Sequence, residues 1–180
     1  MKIKWNSERL LSLTAMGMSF LTLVIFIWQT NLLSRQNYLS ILPYLQLSTS
    51  DDPHSHSFEL RFKNHGVGPA ILESVTMEYR GTRFNLRDYN DQIMELLANF
   101  NPELDSIHFT YSTLNNGIAI PANSTYSFLT IENSPKDYNL ITKALTELQE
   151  KGLKYEIVYR SLLNERWLLQ NDSAGPVKLD

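Results

Sequence analysis

Hydrophobic residues follow one pattern near the amino terminus of this chain and a different one in the remainder. Residues 10–34 are 25 consecutive residues without a charge, centred on a mostly apolar run at 20–28. A bilayer core of about 30 Å is crossed by about 20 mainly apolar helical residues. We therefore predict a transmembrane helix over residues 10–34, with the lipid bilayer as the partner of this segment. From residue 44 onward the apolar positions alternate with polar ones, which is typical of half-buried strands.

Positive charges flank the apolar segment unequally. Lys2, Lys4 and Arg9 precede it, whereas Arg35 is the only Lys or Arg that follows it before residue 61. Loops rich in Lys and Arg stay in the cytoplasm. The sequence thus predicts a cytoplasmic tail at residues 1–9 and a single-pass protein of the inner (cytoplasmic) membrane. Its carboxyl-terminal domain is expected to be periplasmic or extracellular.

Two other interpretations of the segment stay open at this point. A cleaved secretory signal has a shorter apolar core and a small-x-small cleavage site, which residues 28–36 lack. An uncleaved signal-anchor is therefore favoured. Residues 17–23 resemble the start of a mature type IV pilin, but Thr22 stands where such pilins carry a glutamate. Pro43 would also interrupt the long helix of a pilin, so a minor-pilin-like subunit is kept as an alternative only.

Several segments of the remaining chain show the period of two that strands produce. Residues 57–63 alternate strictly, and 75–79, 107–111, 126–131, 153–159 and 166–170 do so in part. A break in parity before residue 75 predicts a β-bulge near Glu73. Asn115-Asn116-Gly117 favours a tight hairpin turn that joins residues 107–111 to 118–120.

Two helices interrupt the predicted strands. The first covers residues 89–100 with Asp88 as its cap, and the second begins at Ser134-Pro135 and ends at Gly152. We predict a mainly β fold, in which the transmembrane helix is followed by an immunoglobulin-like antiparallel β-sandwich with two inserted helices. The predicted boundaries are a short linker at 35–43, a β-sandwich domain at 44–170 and a flexible tail at 171–180.

Charge and cysteine content narrow the classes of function. Without the five charged residues at or before position 35, 12 basic and 18 acidic residues remain, which gives a formal charge of −6. This balance argues against nucleic acid as a partner. The chain has no cysteine, so disulfides, thiolate metal sites and attachment of lipid to cysteine are excluded.

Candidate chemistry is sparse. His54 and His56, with Asp51 and Asp52, supply atoms that could bind a metal, but a polar loop tip explains them more simply. No Gly-x-Ser-x-Gly sequence or complete phosphate-binding loop occurs. We therefore predict no enzyme activity and no cofactor, and the four residues remain weak metal candidates.

A glycine-rich turn separates two of the predicted strands. Asn64 can bond turn amides, Gly66 and Gly68 permit a positive φ, and Pro69 fixes its own φ. This turn resembles the Asn-x-Gly-x-Gly-Pro-Ala turn of uncharacterised bacterial single-pass membrane proteins with an outer β domain. Such proteins also have a strand like residues 155–161, followed by a glutamate and an aromatic residue. The resemblance implies no activity and no site residue.

These observations together predict a non-enzymatic, membrane-anchored protein-interaction module, an accessory subunit of a bacterial envelope complex. Its expected partner is another envelope protein or a second copy of the chain. The alternatives are an envelope domain that senses a ligand or metal through the 51–56 loop, and a minor-pilin-like subunit.

Overall fold

The structure is a computed structural model that describes residues 7–171 and 173–179 of the 180-residue chain. Most of the predicted cytoplasmic tail therefore lies outside the described residues. The chain divides into two units between Ser40 and Ile41. The first contains one long helix, and the second contains all the strands.

Helix α1, Ser7–Leu39, has 33 residues, none of them buried. At 1.5 Å per residue it rises about 50 Å, which is more than a bilayer core requires. Its hydroxyl groups bond to carbonyl oxygens three or four residues earlier, as those of Ser19 and Thr22 do. A long apolar helix was predicted here and is confirmed. Membrane anchors and secretory signals share these properties.

The helix ends later than predicted. Residues 35–39 were assigned to the linker, but they continue α1 because no glycine or proline interrupts the chain before Pro43. Residues 40–44 are therefore all that connects α1 to the first strand.

The second unit contains ten strands, two further α-helices and two short 3₁₀ helices. The strands are β1 Leu45–Asp52, β2 Ser57–Asn64, β3 Ala70–Tyr79, β4 Thr82–Asn85, β5 Thr110–Tyr111, β6 Ala119–Ile120, β7 Thr125–Ile131, β8 Lys154–Arg160, β9 Arg166–Gln170 and β10 Val177–Lys178. The α-helices are α2 Ile93–Phe100 and α3 Pro135–Glu150, and the 3₁₀ helices are Leu86–Tyr89 and Pro102–Ser106.

These strands form two antiparallel sheets, so the prediction of a mainly β chain is confirmed. The first sheet has the order β1-β2-β7-β5. The second has the order β10-β9-β8-β3-β4, with β6 also paired to β3. Every described strand pair is antiparallel.

Large side chains from both sheets fill a common core. In the first sheet the rings of Phe62 and Phe128 pack with their centroids 4.8 Å apart. In the second sheet Tyr159 is fully buried, and its hydroxyl accepts a hydrogen bond from the backbone N–H of Leu45 in the first sheet, at 3.3 Å. Burial raises the pKa of Tyr159 to about 12, so its hydroxyl is neutral at physiological pH.

Two sequence predictions on the sheets had different outcomes: the bulge in β3 is confirmed, and the hairpin at 115–117 is not found. The β3–β8 register shifts between Leu72 and Ser74, which confirms the predicted bulge at Glu73. The predicted hairpin at 115–117 is wrong. β5 pairs with β7 in the first sheet and β6 pairs with β3 in the second, so this turn carries the chain between sheets. The N–H of Gly117 donates to the carbonyl oxygen of Leu72, which fixes the turn on β3 rather than on β5.

The two predicted helices differ in how well their starts were assigned. α3 begins as predicted, with the Ser134 hydroxyl accepting from the N–H of Asp137 at 3.2 Å. Asp88 does not cap α2, because it lies inside the 3₁₀ helix Leu86–Tyr89. Asn90 and Asp91 follow with positive φ, a conformation that interrupts a right-handed helix, and α2 starts only afterwards.

The carboxyl-terminal residues are more ordered than the predicted flexible tail at 171–180. Val177 and Lys178 of β10 pair with Leu168 and Trp167 of β9. Two residues are too few to show a period of two, so this strand could not be predicted from the sequence pattern. Asp172 and Asp180 of the predicted tail lie outside the described residues.

The start of α3 gives a stability prediction. We expect Ser134→Ala to lower the free energy of unfolding by about 1 kcal/mol, because the N–H of Asp137 loses its acceptor. Urea unfolding of the full chain in mild detergent, followed by tryptophan fluorescence, measures the change. Ser50→Ala in β1, which caps no helix, is the control and should change it by less than about 0.5 kcal/mol. Equal effects of the two substitutions would contradict the capping role.

Candidate functional site

The side chain of Asn64 is the best-connected polar group in the glycine-rich turn, and it is buried. Its Oδ1 accepts hydrogen bonds from the N–H of Tyr44 at 3.1 Å and of Gly66 at 2.9 Å. Its Nδ2 donates to the carbonyl oxygens of three residues, Gly68, Ile120 and Pro121. All hydrogen-bonding capacity of this amide is therefore used inside the protein.

Close backbone packing explains the two glycines of the turn. A Cβ on Gly66 would lie 2.4 Å from the carbonyl oxygen of Leu42, and one on Gly68 would lie 1.9 Å from that of Ile41. Neither glycine has a positive φ, so the backbone freedom expected from the sequence is not the reason for them. Glycine is required here because residues 41 and 42 pass directly against the turn.

Residues 41–44, which we call the lead-in segment, are held by the turn along their whole length. The N–H groups of Val67 and Gly68 both donate to the carbonyl oxygen of Leu42, at 3.1 and 3.2 Å. The N–H of His65 donates to the carbonyl oxygen of Tyr44 at 2.8 Å. The predicted structural turn thus has a specific task, which is to fix the first residues of the β unit.

The 51–56 loop, the weak metal candidate, is a braced hairpin connection between β1 and β2. The Asp52 carboxylate accepts from the hydroxyl of Ser55 and the N–H of His54, and these bonds lower its pKa. Asp51 accepts from the hydroxyl of Tyr138 in α3 at 2.6 Å, a bond that raises the pKa of the tyrosine.

The two histidines of this loop do not converge with the carboxylates on one point. The ring of His56 packs edge-on against Tyr138, with the centroids 5.8 Å apart. Within residues 7–171 and 173–179, no group of three His, Cys, Asp or Glu side chains has the arrangement of a metal site. The carboxylates of Asp51 and Asp52 instead act as hydrogen-bond acceptors that shape the loop.

Strand β1 forms an edge of the first sheet. In the part of the chain that the structure describes, it pairs with β2 on one side and with no strand on the other. Opposed residues in an antiparallel pair alternate between bonded and non-bonded pairs. Tyr44 and His65 are bonded across this ladder, whereas the N–H groups of Leu45 and Asn64 bond to Tyr159 and Ser124, away from each other.

The open side of β1 follows from this alternation. The backbone groups of Leu47, Thr49 and Asp51 have the same orientation as those of Leu45 and point away from β2. A row of unpaired backbone donors and acceptors on an edge strand is a template for another strand.

An apolar cavity of about 110 Å³ lies between the two sheets next to this edge. Among the side chains that line it, those from β1, α3 and residues 153–155 are Leu47, Thr49, Leu145, Gln149, Leu153 and Tyr155. Thr49 and Gln149 are exposed, so the cavity reaches the surface beside β1.

A second, more polar cavity of about 200 Å³ lies beside residues 44–47, at the beginning of β1. Leu47 and Tyr155 line both cavities. Together the two cavities form a groove, hereafter the β1 groove, between β1 on one side and β8, β9 and residues 173–176 on the other. An extended peptide fits this shape because its backbone can pair with β1 while alternate side chains enter the cavity.

Sequence reasoning did not find the β1 groove. Leu47 and Tyr155 are distant in the chain, and each has the ordinary alternation of a strand residue. The only local signal is that β1 turns polar after Leu47, as edge strands often do.

The chain matches no protein-family model and no curated protein sequence.

The glycine packing leads to a prediction on the lead-in segment. We expect Gly68→Ala to displace this segment, because its Cβ cannot coexist with the carbonyl oxygen of Ile41. Thermolysin and chymotrypsin, which cut at leucine, isoleucine and tyrosine, should then cleave the full chain within residues 41–44 much faster. The control is Gly81→Ala, where φ is +76° and no atom lies within 4 Å of the new Cβ. Cleavage at 41–44 that stays as slow as in the control would contradict this packing.

The amide of Asn64 gives a separate stability prediction. We expect Asn64→Ala to reduce the free energy of unfolding by about 2–4 kcal/mol, because several buried backbone groups lose their partner. Denaturant unfolding of the full chain in detergent measures this loss. Asn139→Ala, on the exposed face of α3, is the matched control and should be nearly neutral. A loss below about 1 kcal/mol at Asn64 would show that water replaces its bonds.

Proposed function

We propose that this chain is a non-enzymatic, membrane-anchored protein-interaction module of a bacterial envelope complex. In this proposal α1 is an uncleaved anchor in the inner membrane, with its amino terminus in the cytoplasm. The β unit, an immunoglobulin-like sandwich to which α2 and α3 are added, lies on the outer side and binds another envelope protein.

The observation that carries the proposal is the open edge of β1 beside the β1 groove. The backbone groups of Leu47, Thr49 and Asp51 face outward without a strand partner in the described part of the chain. The adjoining cavity is lined mainly by apolar side chains. Backbone pairing supplies affinity in this mode of recognition, and pockets for alternate side chains supply specificity.

Charge and shape define the chemistry of the expected partner segment. It is an extended peptide with apolar residues at alternate positions, which would enter the apolar cavity between Leu47 and Tyr155. Asp51 and Asp52 are exposed where β1 ends. A lysine or arginine at the corresponding end of the partner strand would complement them.

The anchoring part of the proposal is supported by the length of α1 and by the charges that flank it. Lys2, Lys4 and Arg9 precede the apolar segment, and Arg35 follows it. This asymmetry favours a cytoplasmic amino terminus.

The edge pairing is tested by photo-crosslinking in the native membrane. A photoreactive phenylalanine derivative replaces Ser50, next to the outward-facing backbone of Thr49. We expect a crosslinked species of one defined mass, and none when the same probe replaces Asn139 on the exposed face of α3.

Two variants at Thr49 then separate strand pairing from contact by side chains. Thr49→Pro removes the outward N–H, which the β1–β2 ladder does not use, and places a ring at the open edge, whereas Thr49→Val retains the N–H. We expect the crosslink at position 50 to fall about tenfold with proline and to persist with valine, since a lost backbone bond and the steric block weaken pairing. Equal crosslinking in the two variants, with equal thermal unfolding, would contradict the proposal.

A further inference from the structure

One end of the β unit is defined by the strand pairings as the end at which the lead-in segment enters. Leu45 pairs with Asn64, so the loop 65–69 lies at this end. Lys63 pairs with Thr125, which places the loop 121–124 there as well. Ile71 pairs with Arg160, so the β8–β9 hairpin tip at 161–165 lies at the same end. We call this surface the lead-in end.

The loops of the lead-in end are almost free of charge. Residues 65–69, 121–124 and 161–164 contain no Asp, Glu, Lys or Arg, and the one charged residue of the hairpin tip, Glu165, forms an ion pair with Lys178. At the opposite end the connections carry Arg80, Glu132 and Lys151, and β1 ends there with Asp51 and Asp52. The connecting loops at the two ends of the sheets therefore differ in charge.

Exposed apolar side chains are concentrated at the lead-in end. Among the described residues of the β unit, six large hydrophobic side chains are exposed, and four of them lie here: Tyr44, Val67, Leu162 and Leu163. Leu162 is 58% exposed and Leu163 is 54% exposed. Exposed apolar residues grouped at one end of a folded domain indicate an interaction surface.

The two leucines are held outward by a well-bonded turn. Ser161 is fully buried, and its hydroxyl accepts from the N–H groups of Leu163 at 3.2 Å and Glu165 at 3.3 Å. The N–H of Asn164 donates to the carbonyl oxygen of Ser161 at 3.0 Å. The exposure of Leu162 and Leu163 is thus imposed by the hairpin and is not the result of a loose loop.

The chain limits the distance between the end of α1 and the lead-in end. Five residues, 40–44, separate α1 from β1. At the maximum extension of the backbone they span about 17 Å. The interfacial layer of a bilayer adds several ångströms on each side of its core.

We propose that the lead-in end is a membrane-contacting surface, in which Leu162, Leu163 and Val67 enter the interfacial layer of the bilayer that α1 spans. This inference rests on the proposed anchoring. The contact is driven by burial of apolar area, since the three loops carry no lysine or arginine that could bind anionic headgroups. Neutral lipid is therefore sufficient, and the contact is insensitive to salt.

The absence of cysteine allows a direct test in the full chain, because a single introduced cysteine is the only site of labelling. Leu162→Cys carries an environment-sensitive fluorophore, and the protein is reconstituted in phosphatidylcholine vesicles that contain a lipid spin-labelled near the top of its acyl chain. We expect a blue-shifted emission that the spin label quenches. His54→Cys, at the hairpin tip of the opposite end, is the matched control and should be neither shifted nor quenched.

Two further measurements make the result decisive. Val24→Cys, in the middle of the apolar segment, should be quenched by a deeply spin-labelled lipid if α1 spans the bilayer, so failure of anchoring is detected separately. With the fluorophore at Val67→Cys, changing both leucines to serine should abolish quenching by the shallow label, while phosphatidylglycerol or added salt should not change it. An anchored protein whose position 162 responds like position 54 would overturn the inference, as would quenching that requires anionic lipid.

Discussion

The close approach of the lead-in segment to the glycine-rich turn is the constraint on which the β unit depends. Only glycine leaves space for the backbone at residues 41 and 42, and the Asn64 amide then bonds both to this segment and to the carbonyl oxygens before β7. One buried side chain thereby joins the beginning of β1, the start of β3 and the end of β6. Tyr159 adds a bond between the sheets at the same level, through the N–H of Leu45.

This fixed corner determines the position of β1 and, with it, the open edge. Because the lead-in segment is bonded on the side of β2, the strand that follows is held to β2 and leaves its other side without a strand partner in the described residues. The sheets are closed by polar bonds at the lead-in end, while an apolar cavity remains between them near α3.

The two proposed surfaces, the β1 groove and the lead-in end, are connected by β1, which extends from one to the other. β1 starts at the lead-in end and runs to the opposite end, where Asp51 and Asp52 stand. A domain held to the bilayer by Leu162 and Leu163 would present the β1 groove in a defined direction, rather than on a freely rotating tether. A domain that is already oriented loses less rotational freedom when a partner binds, so binding costs less free energy.

The sequence by itself determined the features that depend on neighbours in the chain: the long apolar helix, the alternation in β2, the cap at Ser134 and the bulge at Glu73. Periodicity and capping are local, so they are visible without a fold. Only the tertiary structure decided which strands share a sheet, why Gly66 and Gly68 are glycines, and where the β1 groove lies. Two-residue strands have no period, and an edge exists only by reference to strands that are distant in the sequence.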